Sequence, residues 1–363
     1  VPAAKLARRP FSAALLAWYS REKRDLPWRR TRDPYRIWVS EAMLQQTRVE
    51  TVIPYYERFL KRFPTLKALA LADRQDVLKA WEGLGYYRRA VHLHEGARAV
   101  SARHGGCFPQ EAALIRSLPG IGEYTAGAIR SIAFGQDAAL VDGNVARVFS
   151  RLAAISLPVL DPAAKRLFWG LAEALLPAGK AGDFNQALME LGATVCTPRQ
   201  PSCGDCPVER FCLARAKGWT DRLPVRTPRK ALPERRELVA VVLRGDTLLL
   251  RRRPEGGLLG GLWEFPSVPD EGRGSRLLGS FFRLHGLSPH AEGSLGTFRH
   301  VFTHFRLQVE ARVFQAGRPG REEAGRRWVD SATLDELPVT RLTRRIHEAW
   351  KARTLAALPL FER

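Results

Sequence analysis

The hydrophobic period of this chain changes once, and that change limits the folds open to it. From residue 11 to about 195, apolar residues recur at three- and four-residue spacings, punctuated by Asp33-Pro34, Phe63-Pro64 and Gly105-Gly106. This spacing predicts a succession of short helices, with no strand-like alternation and no internal repeat. Between Gly218 and Arg236 the sequence is rich in arginine and carries Pro224, Pro228 and Pro233. Proline removes backbone donors and favours extended chain, so a semi-rigid linker is expected over 218–236. Beyond it the period falls to two. Leu238–Leu243 is a short apolar run, Gly245-Asp246 a hairpin signal, and Thr247–Leu250 resumes the run. Phe305, Leu307, Val309, Ala311 and Val313 alternate with polar residues, which marks a strand with one wet face, and 341–352 reads as a closing helix. The division expected is a mostly helical domain over 1–217, the linker, a mixed α+β domain over 237–352 and a tail over 353–363.

Charge narrows the partner. The 363 residues hold 58 Lys and Arg against 37 Asp and Glu, a net charge of +21 that favours a polyanion, nucleic acid before acidic lipid. With 45% apolar and 26% charged residues the composition is that of a globular protein and excludes a disordered chain. No apolar run approaches the ~20 residues that span a bilayer. The stretch Phe11–Tyr19 is broken by Ser12 and lacks a cleavage-site pattern, so it reads as a first helix and not a signal peptide. With no targeting signal evident, a cytoplasmic, nucleoid-associated location is expected if the source is bacterial.

Four of the five cysteines, Cys196, Cys203, Cys206 and Cys212, fall within 17 positions. They are too few and too local for a disulfide framework, and four thiolates so close in sequence can converge on one metal centre. A structural zinc site and an iron–sulfur cluster both suit the spacing. The nearby loop holds Arg199 between two prolines, where it can offer a cation to phosphate. Leu118-Pro119-Gly120-Ile121-Gly122 separates two helical segments, 111–117 and 123–134. Its glycines let the backbone approach a ligand, and the free N–H groups of the following helix suit a phosphate. A plain helix–helix turn is the alternative.

Two carboxylates have opposite local settings. Glu41 lies four residues from Ile37 and three from Trp38 and Leu44, so it shares an apolar helix face. A carboxyl facing inward favours its protonated form and is a candidate general acid. Asp142 ends the apolar run Ala138–Val141 and starts a helix. Backbone N–H groups and the positive helix end are expected to hold it as the anion. One acid kept neutral and one kept charged is the arrangement that cleaves glycosidic bonds through an oxocarbenium-like state.

Trp38–Thr47 (WVSEAMLQQT), Trp81–Tyr87 (WEGLGYY), the hairpin Leu118–Gly122, Val141–Asn144 (VDGN) and the four cysteines, in that order, resemble the MutY-type adenine DNA glycosylases of the helix-hairpin-helix base-excision superfamily. The resemblance implies a two-lobed helical catalytic domain with a [4Fe–4S] cluster on Cys196, Cys203, Cys206 and Cys212, followed by a Nudix-like domain that senses the lesion. It implies a monomer acting on duplex DNA in which adenine is mispaired with 8-oxoguanine or guanine. By this resemblance Glu41 protonates the flipped adenine, and Asp142 stabilises the cationic sugar, directly or through a transient covalent adduct. Tyr124 and Asn144 assist, while Arg24, Trp28 and Gln186 line the adenine pocket. Gln46, Thr47, Leu84 and Tyr86 wedge into the base stack, with Phe302, Thr303 and His304 as the lesion-reading loop. Leu118, Gly120, Gly122 and Arg199 meet the DNA backbone. A flipping enzyme must fill the gap it opens, which gives amide, aliphatic and aromatic wedges a physical purpose.

Two departures sharpen this reading. Where the related endonuclease III lyases carry a Schiff-base lysine, this chain has Tyr124, which cannot form an imine. Hydrolysis with little strand cutting is therefore expected. After Gly261–Pro266, which resembles the approach to a Nudix box, the sequence reads Phe281–Leu287 (FFRLHGL), where an acidic helix belongs. Without clustered carboxylates no Mg²⁺-dependent Nudix site is expected. The rival readings are an endonuclease III-like glycosylase/lyase acting on oxidised pyrimidines and a non-catalytic DNA-binding scaffold. Tyr124 opposes the first. Carboxylates in a phosphate-binding groove oppose the second.

Overall fold

A computed structural model describes residues 8–225, 227, 231–316 and 325–357. These form two compact units, one of residues up to 71 together with 92–229, the other of 72–91 together with residues from 230 onward. Up to residue 216 the chain runs through α1 (Arg8–Glu22), α2 (Pro34–Leu44), α3 (Val49–Arg62), α4 (Leu66–Leu71), α5 (Arg74–Ala80), α6 (Arg88–Arg103), α7 (Ala112–Arg116), α8 (Glu123–Ala128), α9 (Gly143–Leu152), α10 (Pro162–Leu175), α11 (Ala181–Thr194) and α12 (Leu213–Ala216).

Two helices of the first unit start where an aspartate acceptor precedes a proline. Asp33 accepts from the Tyr35 amide at 2.9 Å, with Pro34 behind it, and so opens α2. Asp161 opens α10 in the same way, accepting from Ala163 N at 2.7 Å. A side-chain acceptor at this position satisfies an amide that the helix cannot, worth about 1 kcal/mol. The core gathers Phe11 and Leu15 of α1, Phe149 of α9, Phe168 of α10 and Phe184 of α11, all buried. Each such side chain contributes roughly 1.5–3 kcal/mol by leaving water. Between α7 and α8 the hairpin turns on Gly120 at φ +76°, where a Cβ would meet the Cβ of His92 at 2.6 Å. Only glycine fits there, on both counts.

The second unit is built on a seven-stranded sheet: β1 (Glu234–Arg244), β2 (Thr247–Arg252), β3 (Trp263–Glu264), β4 (Ser267–Pro269), β5 (Pro289–Val301), β6 (Arg306–Ala316) and β7 (Arg326–Val329). The main path runs β3-β2-β1-β6-β5, with β4 paired to β1 and β7 to β2. β1 and β6 are parallel, in register from Glu234 opposite Arg306 to Leu243 opposite Gln315. The alternation of β1 builds two cores. Val239, Val241 and Leu243 face one side, with Leu334 of α14 (Ser331–Glu336) and Ile346 of α15 (Arg341–Ala357). Leu238, Ala240 and Val242 face the other, with Leu278 and Phe282 of α13 (Gly274–Leu284). The alternating residues Leu307, Val309, Ala311 and Val313 of β6 join the first of these cores.

Several sequence expectations meet details here. The expected linker lies partly outside the described residues, at Arg226 and 228–230, and β1 already begins at Glu234. The tail also lies outside them from residue 358 on, and α15 runs to Ala357. The stretch 72–91, which sequence order alone assigns to the helical domain, packs with the β-rich unit. Among the described residues no helix is long and apolar enough to cross a membrane.

Candidate active site

A cavity of about 740 Å³ opens within the first unit. α2 brings Glu41 to it, α8 brings Tyr124, the start of α9 brings Asp142 and Asn144, and α11 brings Gln186 and Glu190. The connection between α1 and α2 adds Arg24, Trp28 and Arg29, and Gln46 and Thr47 line the cavity just past the end of α2. The expected catalytic and adenine-pocket residues thus share one space.

Glu41 is only 4% exposed, as its place among Ile37, Trp38 and Leu44 anticipates. The Tyr124 hydroxyl donates to its Oε2 at 2.5 Å and also lies 3.4 Å from the Met189 sulfur. Burial pushes the Glu41 carboxyl from 4.5 to about 7, and the negative charge of Asp142 adds to the rise. The Tyr124 hydrogen bond and Arg29 pull the other way without overcoming burial. Burial beside these carboxyls also raises the Tyr124 phenol well above its usual range, so it is a donor at neutral pH.

Asp142 caps α9 as expected, accepting from Val145 N at 2.7 Å and from Asn144 Nδ2 at 3.0 Å. Its pKa shift runs against the direction that the cap alone favours. Desolvation outweighs the capping hydrogen bonds and the attraction of Arg147, so the carboxyl lies above its ordinary value rather than below it. Helix-end stabilisation is a fraction of a kcal/mol to ~2 kcal/mol, whereas withdrawing a carboxylate from water can cost several.

Arg24 does not reach the cavity as a free cation. Its Nε and Nη2 donate to Glu190 at 2.9 Å each, and Arg29 Nη2 donates to the same carboxylate at 2.8 Å. These bonds hold Glu190 down at about 2 although its side chain is buried. Trp28 is buried with its ring steeply inclined to that of Tyr56, centroids 5.5 Å apart, and Gln186 donates to the Gly182 carbonyl at 3.2 Å. Sequence reasoning missed Glu190 and Arg29. For Glu190 the sequence holds little signal, because its same-face neighbours on α11 are Gln186, Ala187, Ala193 and Thr194, a mixed stripe.

Behind the cavity, Arg147 and Arg151 of α9 tie the site to the cysteine segment, which sequence reading also missed. Arg147 donates to Asn144 Oδ1 at 2.8 Å, to the Gly192 carbonyl at 2.6 Å and to the Cys196 carbonyl at 2.8 Å. Arg151 reaches the Thr197 carbonyl at 2.7 Å and the Cys196 sulfur at 3.3 Å. The four thiols lie within electrostatic reach of one another, and burial pushes Cys206 up to about 12 and Cys203 and Cys212 upward. Among the described residues no three His, Cys, Asp or Glu side chains already enclose a metal ion. The donor set still fits a cationic centre, because half-buried thiols become thiolates only beside a compensating positive charge.

The remaining expected contact residues are dispersed. Leu118 is buried, so of the hairpin positions Gly120 and Gly122 are the ones exposed, as is Arg199 beside the cysteines. In the second unit Leu84 is buried, while Tyr86 is exposed and its hydroxyl lies 3.3 Å from Thr303 Oγ1. Phe302 stacks on Phe305 with ring centres 4.7 Å apart, and Thr303 and His304 are exposed at the turn between β5 and β6.

Residues 39–170 match the HhH-GPD superfamily of base excision DNA repair proteins, and 238–349 match the NUDIX domain. The chain is similar to human adenine DNA glycosylase, with 40% identity over 94% of this chain and 74% of the human one. Among solved structures, a thermostable thymine-DNA glycosylase is 33% identical, covering 59% of this chain and 99% of its own, with a TM-score of 0.53. A trapped endonuclease III–DNA covalent intermediate shares the fold at 19% identity and a TM-score of 0.51, over 60% of this chain and 99% of its own. With this similarity running through the helical and the Nudix-like parts alike, the chain belongs to the adenine DNA glycosylase family of helix-hairpin-helix base-excision repair proteins.

Proposed function

We propose that the protein releases adenine mispaired with 8-oxoguanine or guanine in duplex DNA by hydrolysing its N-glycosidic bond. The observation that carries this reading is the pair of desolvated carboxyls, Glu41 and Asp142, sharing one cavity with Tyr124 and Asn144. Protonated Glu41 gives its proton to a ring nitrogen of the extruded adenine, and the glycosidic electron pair leaves with the base. Asp142 faces the cationic sugar that remains. Water then adds to the sugar carbon and surrenders a proton, leaving an abasic site and free adenine. Tyr124 holds Glu41 by one oxygen, which leaves the other for the base. Tyr124 also supplies no amine for an imine, so strand cutting is not part of the reaction.

Arg24, Trp28 and Gln186 frame the adenine. Gln46, Thr47, Leu84 and Tyr86 wedge the stack, and Phe302, Thr303 and His304 read the partner base. Gly120, Gly122 and the neighbouring Leu118, with Arg199, approach phosphates, in keeping with the net charge of +21. Cys196, Cys203, Cys206 and Cys212 would hold a [4Fe–4S] cluster, which would supply cationic charge and fix their loop. The test is a single-turnover glycosylase assay on duplexes that differ only in the base opposite adenine. Release is expected opposite 8-oxoguanine and guanine and not opposite thymine. Equal release from all three would refute the mispair reading.

A further inference from the structure

The stretch 72–91 presents one helical stripe to the Nudix-like fold with which it forms a compact unit. Residues 74, 75, 78, 79 and 82 recur at the spacing of one helix face, and each has a partner there. Arg74 pairs with Glu255 at 2.7 Å. The Gln75 amide both donates to the Gly261 carbonyl at 3.0 Å and accepts from Trp263 Nε1 at 2.8 Å. Leu78 is fully buried and so close to Gly261 that a Cβ at that glycine would lie 3.1 Å from it. Lys79 donates to the Asp335 carbonyl at 2.7 Å and the Leu337 carbonyl at 3.3 Å, at the C-terminal end of α14. Glu82 accepts from Arg344 Nη2 of α15 at 2.9 Å, and the same guanidinium also pairs with Asp335.

Directly after this stripe come Gly83, Gly85 and Tyr86, at φ +94°, +78° and +50°. For tyrosine that backbone is strained and persists only when its surroundings hold it. Its hold comes from both ends. The Tyr86 carbonyl accepts from the Arg89 amide at 2.9 Å, and the Tyr86 hydroxyl lies 3.3 Å from Thr303.

We propose that residues 74–82 are a latch through which the Nudix-like fold sets the conformation of the loop Gly83–Tyr87. Lys79, Glu82 and Arg344 are then positioning residues for discrimination of the base opposite adenine. The inference rests on the proposed function for that consequence, since the loop wedges the stack and Thr303 lies beside its tip. The latch itself is a property of the protein alone. Lys79 anchors the helix that leads into the loop and Arg344 anchors the turn after it, so freeing them lets the loop leave its strained backbone while the catalytic pair in the other unit is untouched.

Two measurements test it on the full chain. In the DNA-free protein, amide hydrogen exchange at 83–87 is expected to speed up about tenfold in Lys79→Met/Arg344→Gln. Arg344→Lys, which keeps a cation beside Glu82 and Asp335, is expected to leave it near the parental rate. In single-turnover assays the double variant is expected to lose about tenfold of its preference for 8-oxoguanine over guanine opposite adenine, with adenine release opposite guanine held within about twofold. Unchanged exchange at 83–87, or an equal loss on both duplexes, overturns the latch. If the double variant does not fold, Lys79→Met alone is measured by the same exchange criterion. If the parental protein treats both duplexes alike, the proposed partner-base reading fails, and the exchange result still decides the latch.

Discussion

Replacing Glu41 by Gln separates the chemistry of that carboxyl from its cost to the fold. The side chain keeps its shape, and its carbonyl can still accept from Tyr124. What disappears is a charge buried at 4% exposure. Because burial raises the carboxyl from 4.5 to about 7, the folded state holds a proton that the unfolded chain releases. The sign follows: the parental protein loses stability as pH rises from about 4.5 to about 7, then levels off. At about 1.4 kcal/mol per pH unit, the full penalty is about 3 kcal/mol above neutrality. At pH 5 most of it is absent, below about 1 kcal/mol. Glu41→Gln should therefore be more stable than the parent by about 3 kcal/mol at pH 9 and by less than about 1 kcal/mol at pH 5. Urea unfolding followed by far-UV circular dichroism at the two pH values measures this. The same variant should bind a mispaired duplex and release no adenine. A stability difference that is the same at both pH values would show that Glu41 is not held protonated by the fold, and parental adenine release would remove it as the acid.

Tyr124→Phe removes a hydrogen bond that lowers the Glu41 pKa. The alkaline limb of the pH–rate profile should therefore move to higher pH, since activity needs the protonated acid, and borohydride should trap no more variant than parent on DNA. Gly192→Ala would set a Cβ 2.6 Å from the Asn144 Cβ and so displace the amide that donates to Asp142. Adenine release should fall by about 10² with a stability loss of about 1–3 kcal/mol. Anaerobically purified parent should show broad visible absorption and four iron atoms per chain, both lost in Cys206→Ser, whereas equimolar zinc would reject the iron–sulfur assignment.

Family membership and the joining of a helical glycosylase module to a Nudix-like one were legible in the sequence, because the change of hydrophobic period and the ordered motifs are local patterns. So was the inward face of Glu41, since a helix of known period places Ile37, Trp38 and Leu44 around it. The direction of the Asp142 pKa shift was not. The sequence reveals the cap it makes, but its desolvation comes with its place in a cavity also lined by α2, α8 and α11, which no local pattern contains. Arg147 and Arg151 escaped for the same reason: their carbonyl partners lie 45 or more positions away. The docking of α5 escaped because its partners come from residue 255 onward, and a mixed polar stripe on a seven-residue helix reads as solvated surface.

The cluster of buried Glu190 with Arg24 and Arg29 bears on why Glu41 holds its proton up to about neutral pH in a protein with so many cations. A guanidinium beside a carboxyl normally lowers its pKa, and Arg29 does act on Glu41 in that direction. Yet Arg29 also donates to Glu190 at 2.8 Å, and Arg24 engages the same carboxylate through two nitrogens. Glu190, held at about 2, is therefore charged in the working range and offsets part of the field these arginines would otherwise cast across the cavity. The strongly bonded anion takes the cations, and the weakly bonded one, with a single phenol for company, keeps its proton. Two buried glutamates on two helices that line one cavity thus reach opposite protonation preferences, and the difference is set by which of them the arginines can grasp.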